Sequence, residues 1–118
     1  MQREFIPPVP RPESIPGPAG FLEARVEEPE PDSRPAVVGV VCHPHPLYGG
    51  TMQNKVVHAL GRAMQELGAP TVRFNFRGVG ASDGAYDAGR GEIDDAVAVV
   101  DWARARWNCQ ALWLAGFS

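Results

Sequence analysis

The stretch Ala36-Val37-Val38-Gly39-Val40-Val41-Cys42 is apolar at every position. A strand with one face in water alternates polar and apolar residues, so an unbroken run suits a strand covered on both faces of a mostly parallel sheet. Parallel neighbours need crossover connections, usually helices, and the sequence supplies them. From Thr51 to Leu67 the spacing turns helical, with Met52, Val56, Val57, Leu60, Ala63, Met64 and Leu67 on one stripe. Thr51 is the expected N-cap, and Gly68 followed by Pro70 the expected stop. Thr71 to Phe76 then alternates, with Val72, Phe74 and Phe76 on one face. Ile93 to Trp107 is helical again, its stripe being Ile93, Val97, Val100 and Trp107. Asp94 and Asp95 near its start and Arg104 and Arg106 near its end complement the helix dipole. Ala111 to Ala115 reads as a third strand. The order strand, helix, strand, helix, strand predicts two right-handed crossovers in one α/β sheet.

Upstream the texture differs. Nine of the 12 prolines lie within the first 35 residues, and Pro7-Pro8-Val9-Pro10-Arg11-Pro12 removes backbone donors and favours extended chain. Residues 1–20 therefore read as a proline-rich extended arm. Phe21 to Glu28 reads as an edge strand of an antiparallel pair, with Glu30 to Pro35 as the turn. Residues 21–118 are expected to form the N-terminal half of one domain, ending on Ser118. Such a half-sheet leaves apolar surface and a strand edge open, so 1–118 alone is expected to be insoluble or molten.

Composition narrows the class. The 118 residues carry a formal net charge of −3, with no basic patch for nucleic acid or for a membrane surface. No run has the length of a membrane span, and no apolar segment follows Met1 to Phe5 as in a secretory leader. Cys42 and Cys109 lie too far apart in sequence to suggest a disulfide framework. A cytoplasmic protein is the expectation.

Ligands gather at the carboxyl ends of strands in α/β sheets, so the three strand ends belong together. They are His43-Pro44-His45-Pro46-Leu47-Tyr48-Gly49-Gly50, Arg77-Gly78-Val79-Gly80-Ala81-Ser82-Asp83-Gly84 and Gly116-Phe117-Ser118. Gly-Phe-Ser after an apolar strand matches the first three positions of G-x-S-x-G, where a nucleophile sits on a tight strand-to-helix turn. Acyl transfer also needs backbone N–H groups aimed at the developing oxyanion. Pro44 and Pro46 have none, which leaves the His45 amide as the candidate donor and the Leu47 amide in reserve. The second segment spaces its glycines unlike a dinucleotide loop and lacks G-K-[ST]. A structural loop braced by Arg77 and Asp83 is the expectation there.

Taken together, the segments HPHPLYGGTMQNKVV, RFNFRGVGASDG and LAGFS resemble the small bacterial esterase-like branch of the α/β-hydrolases, in order and spacing. The resemblance covers residues 36 to 118. It implies an α/β-hydrolase fold with Ser118 as nucleophile and His45 as an oxyanion-hole backbone donor. The Arg77 to Gly84 loop would then shape the floor of the site. In that superfamily the triad acid and histidine follow the serine, so neither is assigned. The implied substrate is a small acyl compound, with no metal or organic cofactor. Two other readings stay open: a metal-dependent hydrolase using His43 and His45, and a non-catalytic α/β binding domain.

Overall fold

A computed structural model describes residues 4–117. Five strands and two α-helices follow one another as β1 (Arg11–Gly17), β2 (Gly20–Glu27), β3 (Val38–Val41), α1 (Lys55–Glu66), β4 (Thr71–Phe74), α2 (Arg90–Trp107) and β5 (Leu112–Ala115). They make one mixed sheet in the order β1-β2-β4-β3-β5. β3 runs parallel to β4 on one side and to β5 on the other, while β1 and β2 add an antiparallel hairpin beyond β4.

This order explains where the helices lie. β4 and β5 flank β3 on opposite sides, so two right-handed crossovers must place α1 and α2 on opposite faces. The core divides accordingly. Val38, Val40, Val72 and Phe74 meet Val99, Ala103 and Trp107 of α2, with Ile15 and Leu22 of the hairpin. Val41 meets Val57 and Met64 of α1 on the other face. Because α1 leaves β3 on one face and α2 leaves β4 on the other, a crevice opens between the carboxyl ends of these two strands.

The boundaries hold several corrections. Residues 11–17, expected as part of a free arm, pair with β2 as the outer strand of a two-residue hairpin. Pro12 and Pro16 are tolerated there because both occupy the register positions whose N–H would face away from β2. β2, expected at the edge, lies between β1 and β4. The first helix is capped by Asn54, whose Oδ1 accepts from the Val56 N–H at 2.8 Å, rather than by Thr51. Gly68 does end it, with φ of 93° in the left-handed region.

In α2 the second half of the expected stripe holds, with Trp107 buried and Val100 packed against the core, but the first half turns outward. Ile93 and Val97 are 66% and 53% exposed, while Glu92, Asp95, Val99, Ala103 and Trp107 face inward. The inward face begins with two acids because the first two turns serve loop backbone, through Glu92, and a guanidinium, through Asp95, as described below. Among the described residues no helix is long and apolar enough to cross a membrane.

Candidate active site

The turn after β3 starts with a buried histidine. The Nδ1–H of His43 donates to the Pro44 carbonyl at 2.7 Å, and Nε2 accepts the Phe76 N–H at 3.0 Å. The ring thus ties the end of β3 to the end of β4 in one fixed tautomer. Burial pushes its pKa below the ordinary 6.5, and the bond to Pro44 partly opposes that. With both nitrogens engaged, His43 has no lone pair for a metal, which removes one of the two ligands the H-x-H reading needs.

His45, two residues on, is exposed. Its carbonyl accepts the N–H groups of Tyr48 and Gly50 at 3.1 and 3.2 Å, and its Nδ1 accepts the Leu47 N–H at 3.1 Å. The Leu47 amide, the reserve donor, is therefore already bonded. Among the described residues the His45 N–H donates to no acceptor. Gly50 is required where the chain turns back, because a Cβ there would overlap the Pro44 carbonyl.

The loop after β4 is braced by Arg77 and Asp83, as expected, though the two do not pair with each other. Arg77 forks onto Asp95 of α2, with Nη2 to Oδ1 at 2.9 Å and Nε to Oδ2 at 3.1 Å, and its own N–H reaches Oδ2 at 3.0 Å. Asp95 is fully buried, and the bond to it holds the Arg77 guanidinium above its ordinary pKa. Asp83 instead accepts the Phe21 N–H at 2.8 Å. Glu23 of β2 accepts from Asn75 Nδ2 at 2.8 Å and from the Ala81 N–H at 2.9 Å, and its pKa is lowered, first by the Ala81 bond. The Gly78 and Gly80 pair is structural, with φ of 75° and 54°. Glu92 accepts the N–H groups of Asp87 and Gly89 at 2.8 and 2.9 Å, fastening the loop to α2. Asp83, Asp87 and Glu92 all accept backbone N–H bonds.

Between the two loops lies an open cleft of about 350 Å³. His45, Pro46, Phe76, Tyr86 and Phe117 line it. Phe117 brings the end of β5 to the same place. Ser118, the residue after it, lies outside the described residues. Tyr86 was missed in the sequence, where its only signal is an aromatic residue between Gly84 and Gly89 after a strand end. Cys42 stands at the end of β3 with its thiol pushed up to about 11 by burial, which disfavours the thiolate, and is unpaired with Cys109.

The strand order, the paired crossovers and the cleft at their carboxyl ends define an α/β-hydrolase. Residues 21–116 match the family model described as X-Pro dipeptidyl-peptidase (S15 family), and the chain belongs to that family. It is similar to a structure of an alpha-beta serine hydrolase homologue from Coxiella burnetii, with 52% identity and a TM-score of 0.85, covering 92% of this chain and 51% of the other. It is also similar to XC6422 of Xanthomonas campestris, described as an a/b serine hydrolase without lid. There the identity is 47% and the TM-score 0.85, covering 98% of this chain and 54% of that one. Among curated proteins it is 42% identical over 103 residues to the uncharacterized protein RP471 of Rickettsia prowazekii (strain Madrid E), covering 86% of this chain and 42% of that protein. The chain thus spans about half the length of the relatives it matches.

Proposed function

We propose that this chain is the N-terminal half of a serine hydrolase that cleaves carboxylic esters or similar small acyl substrates. Ser118 attacks the carbonyl carbon and a histidine from the remaining half takes its proton. A carboxylate, also from that half, orients the histidine. The tetrahedral oxyanion is held by the His45 N–H and by the amide after Ser118, each contributing about 3–4 kcal/mol. Collapse expels the alcohol, which receives the proton from the histidine, and water then releases the acid by the same route.

The observation that carries this reading is the His45 amide. It sits between two residues that cannot donate, bonds to no acceptor among the described residues, and belongs to a residue lining the cleft that Phe117 also reaches. Prolines on both sides restrict its backbone, so the donor needs little reorganisation. The neighbours described as serine hydrolases support the same chemistry.

Labelling of the full-length protein with a fluorophosphonate probe is the test. Native protein should label and Ser118→Ala should not, with ester turnover falling about 10⁶-fold. Labelling that survives the substitution would refute the assignment of Ser118. A native protein that neither labels nor turns over an ester or an X-Pro anilide would favour a binding domain.

A further inference from the structure

Tyr86 Oη lies 3.2 Å from His45 Nε2, and the two ring centroids are 5.5 Å apart. Tyr48 packs edge-on against the same imidazole at 5.1 Å. The direction of the Tyr86 bond follows from the opposite nitrogen. Nδ1 accepts the Leu47 N–H, so it presents its lone pair, and the neutral ring carries its hydrogen on Nε2. Nε2–H then donates to Tyr86 Oη, and the phenolic hydrogen is left to donate elsewhere. A hydroxyl that accepts one bond is polarised into a better donor for the next.

The rest of the cleft offers no comparable group. Pro44, Pro46, Phe76 and Phe117 carry no side-chain donor, both His43 nitrogens are engaged, and both Glu92 oxygens accept backbone N–H bonds. Among the described lining residues, Tyr86 alone combines a side-chain hydrogen not otherwise committed with partial exposure, at 37%. A mostly apolar cleft with one oriented side-chain donor, apart from the backbone amide that faces the oxyanion, selects for an apolar ligand carrying one matching acceptor.

The geometry points to Tyr86 as a specificity-determining residue, whose hydroxyl donates to an ether, keto or hydroxyl oxygen of the substrate outside the scissile carboxyl group. The His45 side chain acts through it as a positioning residue, separately from the His45 backbone amide. This inference rests on the hydrolase reading above.

Its test compares isosteric esters in the full-length protein. 4-Nitrophenyl methoxyacetate against 4-nitrophenyl butanoate places the oxygen in the acyl part, and 2-methoxyethyl acetate against butyl acetate places it in the alcohol part. For one of these pairs the ratio of kcat/KM values should fall about tenfold in Tyr86→Phe, because a site built to hydrogen-bond a substrate loses discrimination when its donor is removed. His45→Phe should lower the same ratio, and the double variant should lower it no further. Ratios unchanged in both pairs would overturn the role of Tyr86, and additive losses would overturn the role of the His45 side chain. Fluorophosphonate labelling separates the two readings. If native protein and Tyr86→Phe both label while the ratios stay fixed, only this inference fails. If native protein does not label, the hydrolase reading fails and takes the inference with it.

Discussion

The loops that leave β3 and β4 end side by side, yet they are held in opposite ways. The loop after β4 is pinned by groups remote in sequence: Asp95 on Arg77, Glu23 on Ala81, and the Phe21 N–H on Asp83. The turn after β3, once past His43, is held largely by itself. His45 accepts from Leu47, Tyr48 and Gly50, and Pro46 accepts from Gly49. Leu47 and Tyr48 stay 65% and 88% exposed. The contrast separates support from presentation: a floor cross-linked to two elements, β2 and α2, carries a short self-bonded turn whose residues His45 and Pro46 line the cleft. Damage to the floor should cost stability, and damage to the turn should cost activity.

Asp95→Ala should have the largest effect. Removing one partner of a buried ion pair strands the other, at about 3–5 kcal/mol. The urea midpoint of the full-length protein measures it, and an unmoved midpoint would mean that α2 does not brace this loop. Gly50→Ala strikes the turn instead. Relief of the overlap with Pro44 must displace the His45 amide, so kcat should fall about 10²-fold with a stability loss nearer 1–3 kcal/mol. Equal losses of stability in these two variants would erase the distinction.

His43 joins the two regions, and His43→Ala leaves the Phe76 N–H and the Pro44 carbonyl unpaired, at about 1–3 kcal/mol. The pH dependence carries the sign. The folded pKa lies below 6.5, so the protein binds this proton less readily than the unfolded chain does. The stabilisation is present above pH 6.5 and is lost as pH falls through the folded value. His43→Ala should flatten that limb of the stability profile. The smallest effect belongs to Glu23→Gln, whose amide oxygen keeps an acceptor for Ala81. Its lowered pKa means stability that is present above 4.5 and lost below it, so the variant should show a shallower acid limb there and little change at neutral pH.

The parallel strands and both helices were legible because each rests on a local period or a local stop signal. The unbroken run at β3, the stop at Gly68 and the two prolines around His45 all act within a few residues of themselves. The α2 stripe was not legible in the same way. Apolar Ile93 and Val97 gave a clean period, but the buried positions beside them are Glu92 and Asp95, whose partners lie on another loop. The hairpin strand β1 was hidden by its prolines, which forbid a central strand but not an outer one whose missing donors face away from its neighbour.

By itself the sequence determined the succession of strands and helices, the strand ends that converge, and the amide isolated between Pro44 and Pro46. Only the tertiary structure decided that His43 is a buried tie while His45 is exposed, that Arg77 pairs with Asp95 rather than Asp83, and that Tyr86 stands over the cleft. The reason is the range of the interactions. Periodicity, capping and proline chemistry act within a turn of chain, whereas the partner of a buried charge or ring nitrogen is whichever group the topology brings alongside.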